Sequence, residues 1–559
     1  MMVRVRSLLL AGLVLLVTAA PALANVPGVS TTRLASRTPD GRFPNGRSQD
    51  PAVAQDEKAA SLVAYDSVAT NIVPGDTNGV SDVFVVHRAE PYSRGAQAAT
   101  VWEPGSTDLV STGIGGVPAN GASSLPDLDG DQLHTSHCVA FVSAADNLVP
   151  GDTNGQPDGF LKDLRSGAIT RVSVGTGGTE ADGTTFDVQV DGACDRVAFT
   201  SSASNLAYTT RRLPSVKIGG GKRALVTGAP GPGPRQVYVR LLGHEPADKR
   251  LGGITFLASA TSKGTPGNAD SYDAQLGQLG NGCPEACGTT TGDTVAFTSD
   301  ASNLSARDRN GQPDVYERTF RIATQHAKAR RTKVPAYMRM RTLLVSATPS
   351  GGAGNGISDQ PTINDSGQRV AFRTAATDIV DTGANGVTNI AMVDTDTGHR
   401  WLVSHTNQGH VFANGPSATP SLSRNASVLY QSAADNIAFV PGADKNCVPD
   451  VLFWNPVNEH VATESTDSAD LIPGSPFNPN TDPCPNQRTS PAENPATSYY
   501  NNFVAFEHND PLIDLAVADA VYPGLRRDKA RASRLANGDA SLHQVYMHLV
   551  GTGGDRSAR

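Results

Sequence analysis

A short apolar run of one kind recurs seven times along the chain, and each copy is followed by a polar stretch. Six copies read Val-Ala followed by Tyr or Phe, and the remaining copy reads Val-Leu-Tyr. The copies occupy residues 63–65, 139–141, 197–199, 295–297, 370–372, 428–430 and 504–506. A unit that recurs in this way is typical of repeat architectures, in which unequal intervals place the insertions in loops.

Further strand patterns accompany each apolar run in a fixed order. A polar loop leads from the run into a third strand, which starts at Asp in most copies, and the strand after it ends near a Ser. A Gly-rich spacer, often with an Asn-Gly or Asp-Gly signal, then leads to the first strand of the next unit. These segments are rich in β-branched and aromatic residues and are separated by turn residues, so each unit predicts a four-stranded antiparallel sheet.

Seven such sheets predict an all-β fold, a seven-bladed β-propeller of four-stranded antiparallel blades, because each blade then covers the apolar face of its neighbour. We expect blades to start near residues 50, 123, 184, 270, 358, 416 and 496. The last blade lacks an outer strand, whereas residues 31–36 have the pattern of an outer strand with no blade before it. We therefore predict that this N-terminal strand completes the last blade and closes one propeller over residues 25–559.

The inner hairpins also resemble a known family. The segments "INDSGQRVAF" from Ile363 and "QVDGACDRVAF" from Gln189 resemble the WD-type repeat of TolB-like propellers, in which a Ser-Pro-Asp-Gly-like turn precedes an apolar strand. The turn at residues 365–367 keeps this pattern, and the turn at residues 424–426 has lost it. The resemblance implies a propeller that acts through protein contacts, and it carries no catalytic residues.

The first residues have the pattern of an export signal. Arg4 and Arg6 precede the apolar run "LLLAGLVLLV", and a small-residue site follows at Ala22-Leu23-Ala24. The pattern predicts a signal peptide over residues 1–24 and a secreted protein, extracellular or periplasmic, with no membrane span after cleavage. The net charge of −8 at pH 7 argues against a nucleic-acid partner. We expect a monomer.

Six cysteines in an exported chain are expected to form local disulfides. Cys447 with Cys484 is the preferred pair, and Cys283 with Cys287 is close enough in sequence to form a small loop. Cys138 with Cys194 is ranked last, because these residues begin equivalent strands of adjacent blades, which can exceed the roughly 7 Å limit on Cα separation. The alternative for Cys138 is zinc, with His134 and His137, although that set lacks a fourth ligand.

The loop between the second and third strands repeats an Asp followed by Asn two positions on and by Asp six positions on, in three of four copies as Asp-x-Asn-Gly-x-x-Asp, and we call it the corner loop. Carboxylate and amide oxygens around a Gly turn can hold calcium. Asn-Gly and Asp also suit a tight turn without any metal, and we prefer that interpretation while leaving calcium open as the one candidate cofactor. The candidate ligands are Asp76, Asn78, Asp82, Asp152, Asn154, Asp158, Asp308, Asn310, Asp314, Asp444, Asn446 and Asp450.

Three functions remain open from the sequence. We prefer a binding module whose corner-loop face engages a protein or polysaccharide of the envelope or extracellular space. The alternatives are a hydrolase or lyase and a structural surface protein. The chain has no Gly-x-Ser-x-Gly elbow and no His-Glu-x-x-His pair. An enzyme would therefore depend on carboxylates of the inner strands or their turns, for which the candidates are Asp127, Asp187 and Asp191.

Overall fold

The structure is a computed structural model, and every regular element of the residues that it describes is a β-strand. The described residues are 32–56, 60–89, 102–131, 134–206, 234–243, 252–277, 293–323, 337–380, 386–407, 411–423, 426–434, 436–437, 449–463, 493–497, 503–508 and 544–549. Within these ranges no helix has the length and apolar content to cross a membrane. The predicted signal peptide and its cleavage site lie outside them.

The strands form seven four-stranded antiparallel sheets arranged as a ring, which confirms the predicted seven-bladed propeller. A first short strand is β1 (Thr32–Leu34). Blade 1 contains β2 (Ser48–Val53), β3 (Leu62–Ser67), β4 (Asp82–Arg88) and β5 (Pro104–Leu109). Blade 2 contains β6 (Ser123–Leu128), β7 (Cys138–Ser143), β8 (Asp158–Asp163) and β9 (Ile169–Arg171). Blade 3 contains β10 (Thr185–Val190), β11 (Arg196–Ser201), β12 (Gln236–Leu241) and β13 (Thr255–Leu257).

The remaining blades follow the same order, from an inner strand at the channel to an outer strand. Blade 4 contains β14 (Ser271–Leu276), β15 (Asp293–Ser299), β16 (Asp314–Ala323) and β17 (Tyr337–Leu344). Blade 5 contains β18 (Ser358–Ile363), β19 (Arg369–Thr374), β20 (Asn389–Asp394) and β21 (Arg400–Leu402). Blade 6 contains β22 (Ser417–Leu422), β23 (Val428–Ser432), β24 (Asp450–Asn455) and β25 (His460–Thr463). Blade 7 contains β26 (Glu493–Thr497), β27 (Phe503–His508) and β28 (Gln544–Leu549).

The strand that precedes blade 1 completes blade 7, as the sequence predicts. The order of the sheet is β1-β28-β27-β26, and Leu34 lies opposite Tyr546 in the antiparallel ladder. The ladder is extended by Ala35, whose N–H donates to Val545 O at 2.9 Å. The side chain of Ser36 adds a bond of 2.8 Å to Gln544 Oε1. Two segments about as far apart in sequence as the described chain permits therefore share one sheet.

The recurring apolar run is explained by the packing between blades. In β3, Val63 and Tyr65 belong to one core cluster, whereas Ala64 belongs to the cluster on the opposite face of the sheet. Successive side chains of a strand point to opposite faces, so a single run serves two cores. The aromatic residue stacks on a third-strand aromatic ring in five blades, with ring centroids 5.6–6.2 Å apart: Tyr65 on Phe84, Phe141 on Phe160, Phe199 on Tyr238, Phe297 on Tyr316 and Phe506 on Tyr546.

Long cationic side chains also join neighbouring blades. On β8, the ammonium group of Lys162 donates to the carbonyls of Leu109 (3.0 Å) and Val110 (2.9 Å) at the outer edge of blade 1. Arg318 on β16 donates in the same way to carbonyls of blade 3, at 2.8 and 3.0 Å. A buried cation needs such compensation, so these residues join the third strand of one blade to the outer edge of the preceding blade.

The disulfide of the described residues is the pair that we ranked last from the sequence. Cys138 and Cys194 are bonded, with Cα atoms 6.2 Å apart, and they join the start of β7 to the turn between β10 and β11. Ranking this pair last was wrong, because the turn of blade 3 brings Cys194 next to blade 2, within the reach of a disulfide. Cys283, Cys287, Cys447 and Cys484 lie outside the described residues.

Candidate functional site

The corner loops of blades 1, 2 and 4 have the same hydrogen-bond pattern. In blade 1, the amide N–H groups of Asn78 donate to Asp82 Oδ2 (2.6 Å) and to Ala119 O (2.9 Å). The amide oxygen of Asn78 accepts from the backbone N–H of Val80. Ser111 then donates to Asp82 Oδ1 at 2.5 Å, which explains the Ser at the end of the fourth strand. Asn154 with Asp158, and Asn310 with Asp314, repeat these contacts.

These contacts are the ones that the turn interpretation requires. The Asn side chain directs its N–H groups at the carboxylate and uses its oxygen within the turn, where calcium would need that oxygen as a ligand. Burial raises the pKa of Asp82 to about 6 and that of Asp314 to about 7. The calcium site stays a prediction. Asp450 is a buried residue at the start of β24, and Asp444 and Asn446 lie outside the described residues.

The first Asp of the corner loop differs from blade to blade. In blade 2, Nη1 of Arg171 lies 3.1 Å from both Asp152 and Asp158 and 2.6 Å from Glu180, so a guanidinium occupies the centre of the acidic group. In blade 4, Asp308 accepts a 2.6 Å bond from the hydroxyl of Tyr316. In blade 1, Oδ1 of Asp76 is buried and has no hydrogen-bond partner among the described residues. Among the first Asp residues of the described corner loops, Asp76 is therefore the one best placed to bind an added cation.

The inner strands of all seven blades surround a central channel with a volume of about 540 Å³. In six of the seven ladders with the second strand, the register shifts around one residue near the start of the inner strand, and that residue has a positive φ of 47–54°: Asp50, Leu125, Asp273, Gln360, Thr419 and Asn494. Positive φ is uncommon for residues other than glycine, and β-bulges of this kind turn side chains at functional sites. The recurring bulge was not recognised from the sequence, although Pro follows this residue in five blades.

The bulged residues are held by the preceding blade. The N–H of Asp50 donates to Glu507 Oε1 at 2.7 Å, and the N–H of Thr419 donates to Gln360 Oε1 at 3.0 Å. Asp273 accepts in the same way from the N–H of Gln360, and Asp187 accepts from that of Asp273. In these four pairs the preceding blade supplies the acceptor for a backbone group that the bulge of the next blade would otherwise leave unpaired.

Two of the three candidate catalytic carboxylates lie on this channel. Burial raises the pKa of Asp127 to about 7, and it raises that of Asp187 to about 7 as well. Asp191 lies in the turn between β10 and β11, where it accepts bonds from the backbone of Asp195 and forms a 3.0 Å ion pair with Arg196. Asp191 is therefore a turn residue, and it does not line the channel.

The seam between blades 7 and 1 carries a second group of channel acids. Asp50 and Asp66 are neighbouring carboxyls, and burial with the nearby carboxylate of Glu507 raises the pKa of Asp50. Burial, with the nearby carboxyl of Asp50, raises the pKa of Asp66 to about 8. Glu507 is fully buried beside this pair and accepts a 2.7 Å bond from Asn494. This side of the channel is polar and can exchange protons near neutral pH.

The opposite side of the channel mouth is aromatic and cationic. Arg235 lies between two rings, with its guanidinium carbon 5.4 Å from the Phe186 centroid and 4.9 Å from the Tyr272 centroid. Its Nε is 2.9 Å from Asp270. Phe186 remains 39% exposed, which is a large exposed fraction for a phenylalanine beside a cavity. Sequence reasoning missed this group because its residues come from three different strands and spacers.

The structure separates His134 from His137 and Cys138, the other two zinc ligands proposed from the sequence. His134 Nδ1 lies 2.9 Å from Asp131, whereas His137 Nδ1 lies 2.9 Å from Asp129. Cys138 is bonded to Cys194. The side chains of Asp129, His137, Cys138 and Cys194 nevertheless place one ligand atom each within 4.8 Å of one another.

Comparison with known proteins assigns the chain to no family. No protein-family model matches the chain, and no curated protein sequence matches it. Among solved structures, oligogalacturonate lyase from Vibrio parahaemolyticus is 10% identical with a TM-score of 0.43, covering 95% of this chain and 99% of that one. Acylaminoacyl peptidase from Pyrococcus horikoshii is 9% identical with a TM-score of 0.39 over 85% of this chain, which spans about half (50%) of the peptidase. The Dos1 propeller is 11% identical with a TM-score of 0.31, covering 68% of this chain and 67% of that one.

Proposed function

We propose that the chain is an exported, TolB-like propeller that works as a binding module, with the mouth of its channel on the corner-loop face as the recognition site. The observation that carries this proposal is the composition of the channel. Neutral hydrogen-bonding side chains line it from six blades: Gln55, Gln189, Gln275, Gln360, Thr362, Thr419, Ser421, Asn494 and Thr497. The exposed Phe186 lies at the mouth.

This combination suits a polysaccharide of the envelope or extracellular space. Sugar hydroxyls donate and accept hydrogen bonds in equal measure, and amide side chains match both roles. An exposed ring offers an apolar surface to the C–H face of a sugar, and pockets that pair apolar walls with a few polar groups bind small ligands. A protein partner is the alternative binding mode, and calcium at the corner loop of Asp76 would support the same face.

The test compares capture of insoluble envelope polysaccharide by the purified mature protein and by two variants. We expect Phe186→Ala to weaken capture at least tenfold because it removes the exposed ring. Val457→Ala is the matched control, since Val457 is 77% exposed on the turn between β24 and β25, at the outer edge of blade 6. Equal capture by both variants would refute the channel mouth as the site. Capture that disappears when the extract is treated with protease would indicate a protein partner.

A hydrolase or lyase is the second candidate, and the raised pKa values of Asp127 and Asp187 favour it. A carboxyl with a pKa of about 7 can give and take a proton at neutral pH, which general acid–base catalysis requires. Asp187→Asn keeps the shape of the side chain. A binding module predicts that this variant captures its ligand as the parent does and that neither protein releases shortened chains. Release of such products by the parent, reduced by orders of magnitude in the variant, would establish the enzyme.

A further inference from the structure

The disulfide between blades 2 and 3 lies within a complete set of metal ligands. Asp129 follows β6, His137 and Cys138 lie at the start of β7, and Cys194 lies in the first turn of blade 3. One ligand atom from each residue falls within 4.8 Å of the others. Zinc sites in proteins use four ligands of these types, at 2.0–2.3 Å from the ion. Ligand atoms at the corners of such a tetrahedron lie roughly 3–4 Å apart, within the observed spacing.

The carboxylate of this set is held in place by the chain. Oδ1 of Asp129 accepts bonds from the backbone N–H groups of His137 (2.7 Å) and Cys138 (2.8 Å) and from the hydroxyl of Ser136 (2.8 Å). Oδ2 lies 2.9 Å from Nδ1 of His137. Asp129 is fully buried, so one oxygen is fixed by the loop while the other faces the imidazole. Such orientation by outer contacts is what metal ligands usually have.

We propose that this group binds a single Zn²⁺ ion when the disulfide is reduced, so that blades 2 and 3 are joined by a covalent bond in one redox state and by a metal in the other. A dithiol reduces the Cys138–Cys194 bond, giving two cysteine thiols and a disulfide of the reductant. Zinc then binds both sulfurs as thiolates, and the two thiol protons pass to solvent. His137 and Asp129 complete the coordination.

The charges of the reduced group support this arrangement. Two thiolates next to the buried carboxylate of Asp129 would repel one another in the absence of a cation. Zinc removes this repulsion, and a structural zinc site stabilises the folded chain that forms it. His134 is excluded from the set because its imidazole lies against Asp131. The inference does not depend on the proposed ligand of the channel.

The test uses the full chain with Cys283, Cys287, Cys447 and Cys484 replaced by Ser, so that the remaining thiols belong to the proposed site. The protein is reduced with a phosphine, freed of reductant without oxygen and titrated with Co²⁺ and then Zn²⁺. We expect one Co²⁺ per chain, with the strong visible bands of a tetrahedral thiolate site, displaced by one Zn²⁺. The oxidised protein should give no such bands.

Two histidine variants make the test specific. We expect His137→Ala to weaken Zn²⁺ binding at least tenfold, whereas the matched control His134→Ala should bind as the parent does. The melting temperature of the reduced parent should also rise on addition of Zn²⁺, which provides a reading if the variants fold poorly. The proposal is overturned by a reduced protein that shows neither the spectrum nor the rise. It is equally overturned if His137→Ala and His134→Ala behave alike.

Discussion

The corner loops and the channel bulges are both repeated around the ring, but they are repeated in different ways. Corner loops repeat in sequence: Asn78, Asn154 and Asn310 bond to an Asp of the same blade and to a carbonyl of the segment that follows it. The bulges repeat in backbone geometry, while the residue at that position changes from Asp to Leu, Gln, Thr or Asn. At Asp50, Asp273, Gln360 and Thr419 the backbone N–H is bonded to a side chain of the preceding blade.

This difference separates what the fold requires from what the function can use. The corner loops use the same hydrogen bonds to make the same turn, so the same residues recur in them. A bulge that receives its hydrogen bond from outside leaves its own side chain free to vary, so the channel can carry acids near Asp50 and aromatic rings near Phe186. We therefore expect corner-loop variants to affect stability and channel variants to affect recognition, and the following experiments test that division.

The largest effect is expected where a contact within a blade also closes the ring. Deleting residues 32–36 from the chain removes the outer strand of blade 7 and exposes the edge of β28. An unpaired edge strand promotes aggregation. We expect the truncated chain to lose cooperative thermal unfolding, measured by circular dichroism, or to be insoluble. A truncated protein that melts at the temperature of the parent would show that closure contributes nothing.

The next effect distinguishes two corner loops with the same sequence pattern. Asp158→Ala leaves Arg171, Ser173 and Asn154 without their shared acceptor in a buried site. Arg171 keeps its contacts with Asp152 and Glu180, so the charged hydrogen bond that is lost should add about 1.5–3 kcal/mol to the loss of the neutral contacts. Asp82→Ala, whose loop contains no such arginine contact, should cost about 1–3 kcal/mol. Urea unfolding of both variants measures the difference, and equal losses would show that Arg171 contributes no net interaction.

The channel carboxylates should give the protein a stability that falls as the pH rises. The pKa of Asp187 is raised from 3.8 in the unfolded chain to about 7 in the folded one, so the folded state holds more protons between pH 4 and 7. Its contribution is complete below about pH 4 and is lost as the pH passes 7. Between pH 5 and 8 the loss is roughly 3 kcal/mol at 1.36 kcal/mol per pKa unit.

Asp187→Asn isolates this contribution, because the amide does not titrate. We expect the difference in unfolding free energy between pH 5 and 8 to be smaller in the variant than in the parent. If the two proteins have the same pH dependence, the carboxyl of Asp187 is ionised in the folded chain throughout this range. An ionised Asp187 could not act as a general acid, which would count against the enzyme.

Calcium provides a smaller test of the corner loops. A cation that binds only the folded state at a hundred times its dissociation constant stabilises that state by about 2.7 kcal/mol. If a loop binds calcium, a chelator should lower the melting temperature of the parent and leave that of Asp76→Asn unchanged. Asp152→Asn should respond as the parent does, because its carboxylate already binds Arg171. If the chelator has no effect on the melting temperature of the parent, the hypothesis that a corner loop binds calcium is rejected.

The smallest effect concerns the contacts between blades at the bulges. Gln360→Ala removes the acceptor for the N–H of Thr419, a single neutral hydrogen bond of 3.0 Å at the channel. The channel admits water, which replaces the lost acceptor, so we expect a cost of about 1 kcal/mol or less. A loss as large as that of Asp158→Ala would contradict the division between corner loops and bulges.

Much of the architecture follows from the sequence. The second strand of each blade can be recognised from its apolar run. The period of a strand and the two-sided packing of a blade require Val, a small residue and an aromatic ring in that order. The role of the strand at Thr32–Leu34 can be predicted because a count of the strands shows that the last blade lacks its outer strand. The corner-loop polar contacts are readable for the same reason, since they join residues that are near in sequence.

The candidate site is harder to predict from the sequence, because its contacts join residues from different blades. Asp127 and Asp187 were predicted as inner-strand carboxylates, but their raised pKa comes from burial, which no local pattern records. Asp152 belongs to a corner loop whose sequence matches that of blade 1, and only the folded chain shows that Arg171 of β9 places a cation in the loop of blade 2.

The sequence by itself determined the number of blades, their strand order and the strand that closes the ring, because these depend on periodicity and on turns between neighbouring segments. The tertiary structure alone decided that Cys138 bonds to Cys194, that bulges turn side chains into the channel and that Arg235 lies between Phe186 and Tyr272. These features depend on how each blade is rotated against the next. That rotation brings together residues that are distant in sequence, and no repeated sequence pattern predicts their contacts.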